Sequence, residues 1–201
     1  MPSIYDIKPR FQALLRPLVG SLARTGVTAN HVTLSAMAMS FLAGLLVVIW
    51  PEARWPMLLI PVVLFVRMAL NAIDGMLARE FDMKSPLGAI LNELGDVASD
   101  AALYLPFALV PGITAVAVVL VVILSIVSEM AGVVAIQVGG ERRYDGPMGK
   151  SDRAFVFGFV GLLIGLGVAV GGWVNMVLWL MTVLLLVTIV NRSRQALRVS
   201  A

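Results

Sequence analysis

The sequence predicts an all-α integral membrane fold, with six transmembrane helices behind an N-terminal amphipathic surface helix. Three observations carry this expectation. Of the 201 residues 60% are hydrophobic and 13% charged, and mean hydropathy is +0.95, a composition of membrane proteins rather than soluble domains. Apolar runs of roughly 17–25 residues, enough to cross the hydrocarbon core as a helix, recur along the chain. Lys and Arg collect in alternate connections, as they do in multi-pass proteins.

The elements follow in order. Residues 1–30 form the surface helix and its linker: Ile4, Ile7, Phe11, Leu14, Leu15, Leu18 and Leu22 recur at helical spacing, with Lys8, Arg10, Arg16 and Arg24 between them. No small-residue cleavage site follows a short apolar core, so this segment is not expected to be a signal peptide. The six-helix bundle occupies 31–191, with apolar runs near 32–50, 57–78, 87–109, 113–138, 154–170 and 173–191, and a tail follows at 192–201. The third run carries acids and counts as a span only if neighbouring helices shield them. No internal repeat or low-complexity linker divides the chain, so it reads as a single membrane domain.

Thirteen of the fifteen Lys and Arg residues lie in the N-terminal segment, the 79–86 and 140–153 loops and the tail. The opposite connections hold only Arg54, and Arg67 sits inside the second run. Positive-inside counting therefore places both termini in the cytoplasm. The expected location is a bacterial cytoplasmic (inner) membrane. The absence of cysteine excludes disulfides and thiolate metal sites, and the lone His31 excludes a His-rich zinc site, so any metal must be held by oxygen.

Two polar stripes interrupt this apolar background. Arg67, Asn71, Asp74 and Ala78 share one face of the second run; Gly88, Asn92, Asp96 and Asp100 follow at intervals of four on the third. Antiparallel neighbours would bring the stripes face to face near the cytoplasmic surface. Arg67 alone would clamp Asp74 or an acid of another span. Four acids, Glu93 included, against one Arg leave a surplus, at roughly 2.5–3.5 kcal/mol for each unpaired carboxylate at depth. A hard cation, Mg²⁺, Mn²⁺ or Ca²⁺, would compensate it.

The order of residues adds a second signal. Asp74-Gly75, two residues, Ala78-Arg79, eight residues, Gly88, then polar positions at 92 and 96, resembles the motif of the CDP-alcohol phosphotransferase family. The TANHVT stretch, with Thr33, and the GKSDR segment before the fifth run are also similar to that family. The resemblance implies transfer of a phosphoalkyl group from CDP-diacylglycerol or another CDP-alcohol to a small polar alcohol, with release of CMP. It further implies Mg²⁺ or Mn²⁺ as cofactor, contact with membrane lipids, a homodimer and no nucleic-acid partner. By resemblance Asp74, Asp96, Asn71 and Asn92 are metal ligands and Asp96 the general base. Gly75, Ala78, Arg79, Gly88 and Thr33 would meet the donor.

Asn71 and Asn92 depart from the pattern, standing where the motif has its first and third Asp. Three explanations compete: one metal binds instead of two, Glu93 or Asp100 supplies the missing charge, or activity is lost. Retained activity with altered metal stoichiometry is the expectation adopted. Asp100 is the alternative base, in a shifted reading that puts Asn92 at the motif's Gly position.

Arg142, Arg143, Lys150 and Arg153 offer a cluster at the cytoplasmic mouth. Ordinary positive-inside charge is the default for the first two. Gly146 and Gly149 beside Lys150 and Arg153 suggest an anion-binding turn for a phosphorylated polyol. Glu129 would either line the acceptor pocket or pair with Arg67. Tyr104 and Pro106 concern packing and a kink. The rival readings are a non-catalytic lipid- or nucleotide-binding subunit and an ion-coupled transporter, which also uses membrane-embedded acids.

Overall fold

The computed structural model describes residues 4–199, with side chains from 11 to 198. The side chains of Ile4, Ile7, Lys8 and Arg10, expected on the surface helix, lie outside the described ones. The described residues hold seven α-helices and no strand.

α1 (Ile4–Arg24) ends at a turn in which Gly26 takes φ 80°, a left-handed conformation that favours glycine. α2 (Ala29–Ile49) starts at a capping box. Thr28 Oγ1 accepts from the His31 N–H and His31 Nδ1 accepts from the Thr28 N–H, both at 3.3 Å, satisfying two end donors reciprocally. His31 is thereby spent on folding. α3 (Trp55–Glu80) opens with Pro56 in its first turn, and α4 (Pro86–Tyr104) opens on Ser85, whose Oγ accepts from the Gly88 N–H at 2.9 Å.

At Tyr104 the third apolar run changes character. A short 3₁₀ turn, Leu105–Leu109, replaces the α-helix where Pro106 cannot continue it, and Tyr104 stacks on Phe157 at 4.0 Å between centroids, so packing and a bend are what this pair provides. α5 (Ala115–Val134), α6 (Lys150–Gly165) and α7 (Gly172–Val199) complete the chain. The 140–153 loop is shorter than expected, because Lys150 and Arg153 already belong to α6. The expected tail is likewise the end of α7.

Four helices are long and apolar enough to cross a membrane: α2, α3, α5 and α7. The six-span expectation is met only to that extent. α4 carries Glu93, Asp96 and Asp100 along its length, and α6 has 16 residues with Lys150, Asp152 and Arg153 in or beside its first turn. The chain is a multi-pass, all-helical membrane protein.

In lipid the helices gain little from hydrophobic association, so close packing of small residues matters more. α2 packs on both α3 and α4, α3 on α6, α5 on α7, and α1 lies against α3. At Gly44 of α2 an added Cβ would stand 2.0 Å from the Ala102 carbonyl oxygen of α4. At Gly161 of α6 it would stand 3.2 Å from the Met57 carbonyl oxygen of α3. One apolar core, with Tyr104, Phe107, Phe157, Val121 and Met181, fills the bundle; a second, with Val19, Val32, Ile73, Met76 and Leu77, ties α1 to the adjacent ends of α2 and α3.

Candidate active site

The predicted stripes of α3 and α4 do meet. Arg67 of α3 reaches across to Asp100 of α4, and its Nη2 donates to the Asp96 carbonyl oxygen at 3.0 Å and lies 3.5 Å from Asp96 Oδ1. One turn on, Asn71 Nδ2 donates to Asp96 Oδ1 at 3.3 Å. Asp74 faces α2 instead, where Thr33 Oγ1 donates to its Oδ2 at 2.9 Å. Both Asp74 and Thr33 are buried.

The surplus of acid expected from the sequence is not there. Lys150 forms an ion pair with Asp96; Arg153 Nη2 lies 3.1 Å from Asp100 and 3.0 Å from Glu129; Arg142 Nη2 lies 2.7 Å from Glu93 and 3.3 Å from Glu129; and Arg192 Nη1 lies 3.4 Å from Glu129. With Arg67, five bases and four acids form one connected network. Of the four acids on the two stripes, only Asp74 makes no ion pair. The sequence count missed these bases because helical spacing shows which residues share a face, not which helix covers that face.

For Glu129 the sequence leaves two readings open, a wall of the acceptor pocket or a partner of Arg67. It pairs with Arg153, Arg142 and Arg192, and not with Arg67. Arg192 was read only as charge on the tail; its side chain is 2% exposed and donates to the Ser128 carbonyl oxygen at 2.6 Å. Nothing in the sequence separated it from Arg194 and Arg198 except its helical register on the extended α7.

The other predicted positions are placed as follows. Arg79 is exposed and its guanidinium lies over Gly75, 3.2 Å from where a Cβ would stand. Gly88 abuts Asn30, whose Oδ1 would be 2.8 Å from an added Cβ, which brings the start of α2 against the start of α4. Ala78 and Asn92 are half-buried on the predicted faces. Arg143 is paired with Asp145 at 2.8 Å, and Arg153, 1% exposed, points into the bundle. The Gly-rich turn before α6 is held by its own protein groups. The Gly149 N–H donates to Asp152 Oδ2 at 2.8 Å and the Met148 N–H to Thr188 Oγ1 at 3.0 Å.

These contacts separate the two candidate bases. Asp100 has both oxygens engaged, Oδ1 by Arg67 and Oδ2 by Arg153, with its side chain 8% exposed. Asp96 is 24% exposed, and Lys150, Arg67 and Asn71 all fall on its Oδ1. No donor among the described residues falls on its Oδ2, which is the oxygen left to take a proton.

The donor set also bears on metal. No three Asp, Glu or His residues among those described converge on one point. Asp74, unpaired and close enough to Asp96 and Lys150 to feel their charge, suits one hard ion whose remaining ligands are amide or substrate oxygens.

A cleft of about 540 Å³ opens between α3 and α6. Arg67, Asn71 and Lys150 line one part of it, and Phe65, Phe155 and Phe159 line the rest.

Comparison with known proteins accords with this arrangement. The family model for CDP-alcohol phosphatidyltransferase matches residues 26–193. The chain is 49% identical over 201 residues to the inner membrane protein YnbA of Escherichia coli (strain K12), covering 99% of this chain and 98% of that protein. The fold is similar to that of Mycobacterium tuberculosis phosphatidylinositol phosphate synthase (PgsA1) with CDP-DAG bound, at a TM-score of 0.74 and 20% identity over 90% of this chain and 92% of that one. The same enzyme in complex with manganese and citrate gives a TM-score of 0.75, again at 20% identity, over 90% and 87% of the two chains. With its motif on the facing stripes of α3 and α4 and the family model spanning all but the chain's ends, the protein belongs to the CDP-alcohol phosphatidyltransferase family and is a CDP-alcohol phosphotransferase.

Proposed function

We propose that the protein makes phospholipid by moving a phosphatidyl group from CDP-diacylglycerol, or a similar CDP-alcohol, to a small polar alcohol, releasing CMP. The cleft between α3 and α6 supports this reading most directly. Its polar part lies beside Asp96 and its aromatic part faces the region of lipid, a division that suits a donor with a charged diphosphate and apolar chains.

In this reading Asp96 Oδ2 accepts the proton of the acceptor hydroxyl as the alcohol oxygen bonds to phosphorus, and the bond from phosphorus to the CMP oxygen breaks, CMP leaving with the electron pair. Arg79, whose guanidinium lies over Gly75, receives the donor's nucleotide end, with Ala78, Gly88 and Thr33 shaping its surroundings. Asp74, with Asn71 and Asn92, would hold Mg²⁺ or Mn²⁺, which would supply positive charge against the donor's diphosphate. Asp96 is its near neighbour. The manganese complex of PgsA1 supports the choice of metal.

All of Arg142, Arg143, Lys150 and Arg153 are paired with carboxylates. A phosphorylated acceptor would have to displace one of these pairs, and an uncharged polyol would not, so the acceptor is read as an uncharged small alcohol. We place α4 and α6 across the membrane beside the other four helices, shielded by the ion network, with both termini in the cytoplasm of a bacterial inner membrane, and the chain as a homodimer.

The test is CMP release from CDP-diacylglycerol by purified protein with a panel of neutral and phosphorylated alcohols. One neutral alcohol should drive release, and Asp96→Asn should abolish it while CDP still binds. No release with any alcohol from protein that binds CDP would favour a binding subunit and remove this proposal.

A further inference from the structure

Glu129 of α5 is a buried acid that the proposed reaction does not use, and it gathers more arginine than one carboxylate needs. Its Oε1 lies 3.0 Å from Arg153 Nη2 of α6, and its Oε2 lies 3.3 Å from Arg142 Nη2 of the loop after α5 and 3.4 Å from Arg192 Nη1 of α7. Clamping α5 to a neighbouring helix would take one of these. The three guanidiniums also bring more donors than the carboxylate accepts: Arg142 Nε and Arg153 Nε are buried with no hydrogen-bond partner among the described residues. Three planar forks converging from separate parts of the chain are the donor set for a group with more oxygens and more charge than a carboxylate, such as a phosphate monoester. Beside Glu129 a cavity of about 10 Å³, lined by Asp100, Ser125 and Arg153, is at most the size of one water, so the glutamate itself takes the space such a group would need.

The cluster borders the proposed reaction. Arg153 joins Glu129 to Asp100, one turn of α4 from Asp96. Arg142 joins it to Glu93, which is close enough to both Asp96 and Glu129 to feel their charge. The side chains of Arg142 and Glu93, 23% and 33% exposed, form its open side, whereas Arg153 and Arg192 are buried. Arg142 and Arg153 each have a second carboxylate; Arg192 has none but Glu129 among the described residues.

We infer that Glu129 is a built-in anion, filling a three-arginine site for a phosphate monoester group and thereby excluding phosphorylated alcohols as acceptors. For the acceptor this rests on the reaction proposed above. A phosphorylated alcohol must push a buried carboxylate off its arginines, whereas an uncharged one leaves the cluster closed.

The experiment is calorimetric titration of inorganic phosphate into the full-length protein in detergent at constant ionic strength, followed by CMP release from CDP-diacylglycerol with glycerol phosphate as acceptor. Glu129→Ala should bind phosphate at least about tenfold more tightly than wild type, because three guanidiniums are released to it. With phosphate about tenfold over that Kd its melting should rise by about 3 °C or more relative to wild type. Adding Arg192→Met should remove both effects. Glu129→Ala should also release CMP with glycerol phosphate at least about tenfold faster than wild type. Equal phosphate binding by wild type and Glu129→Ala would overturn the inference. So would release driven by glycerol phosphate in wild type, or a phosphate-binding variant that uses a neutral alcohol yet still refuses glycerol phosphate. If Glu129→Ala does not fold even when prepared in phosphate, Glu129→Gln decides, since it keeps the shape without the charge; melting that phosphate raises no more than in wild type overturns the inference equally. Phosphate binding by Glu129→Ala, with no CMP release by either protein with any alcohol, removes the proposed reaction and leaves the anion site in place.

Discussion

Asp100→Asn separates the residues that hold the bundle from those that do chemistry. The carboxylate is 8% exposed and sits between two guanidiniums, Arg67 on Oδ1 and Arg153 on Oδ2, themselves 4% and 1% exposed. Breaking one side of a buried ion pair costs about 3–5 kcal/mol, because the stranded charge has no water to turn to. Here Arg67 keeps Asp96 and Arg153 keeps Glu129, so the cost falls at the low end, about 3 kcal/mol. At roughly 2–4 °C per kcal/mol for a chain of this size, melting should drop by about 6–12 °C. Thermal unfolding in detergent measures this, and CMP release well below the lowered melting temperature should remain within a few-fold of wild type. A variant that melts with wild type yet transfers nothing would show that Asp100 touches the reacting groups, and the assignment of the base to Asp96 would fail.

Three further outcomes follow from contacts elsewhere in the bundle. Gly44→Ala should destabilise by about 1–3 kcal/mol, because its Cβ would stand 2.0 Å from the Ala102 carbonyl oxygen and the backbones of α2 and α4 must part; unchanged melting would mean the helices are not in contact there. Thr33→Val removes the hydroxyl that donates to Asp74 Oδ2 at 2.9 Å, and at about 1.5–3 kcal/mol for a bond to a charged group should lower melting by about 3–12 °C; unchanged melting would mean that the buried carboxylate does not depend on this donor. Arg16→Ala should leave melting unchanged at physiological salt, although Arg16 and Glu80 make a two-pronged contact at 3.0 and 3.2 Å, because the pair lies in water.

Much of the site was readable because it depends on register within single helices. Intervals of four and three put Arg67, Asn71 and Asp74 on one face of α3, and intervals of four put Asn92, Asp96 and Asp100 on one face of α4, and those faces meet. The sequence could not show what the third dimension adds. Lys150 and Arg153 read from the sequence as part of an anion-binding turn in the loop, yet they are in the first turn of α6, and the packing of α6 on α3 carries them to the acids of α4. Arg192 looked like tail charge because the apolar run stops near it, but backbone hydrogen bonds continue where apolar side chains end. Hydropathy alone counts only four spans because it scores a helix as if alone, and α4 carries charges that its neighbours neutralise.

That neutralisation explains why α4 can lie among apolar helices at all. An isolated helix with Glu93, Asp96 and Asp100 would carry three unpaired charges at roughly 2.5–3.5 kcal/mol each. In the bundle each meets a base from a different part of the chain: Arg142 for Glu93, Lys150 and Arg67 for Asp96, Arg67 and Arg153 for Asp100. A pair of opposite charges surrounded by hydrocarbon does little to favour the folded state over an apolar replacement, but it penalises any arrangement that parts the partners. The network thereby fixes α4 against α3 and α6, which is the geometry the cleft requires. One helical turn divides the two duties. Asp100 spends both oxygens on arginines, while Asp96, four residues earlier and nearer the start of α4, spends one and keeps the other, and Asp74 across from it takes only a hydroxyl. In the proposed reaction Asp96 and Asp74 are the acids with capacity left for substrate and metal, and Asp100, deeper along α4, holds the helices in place.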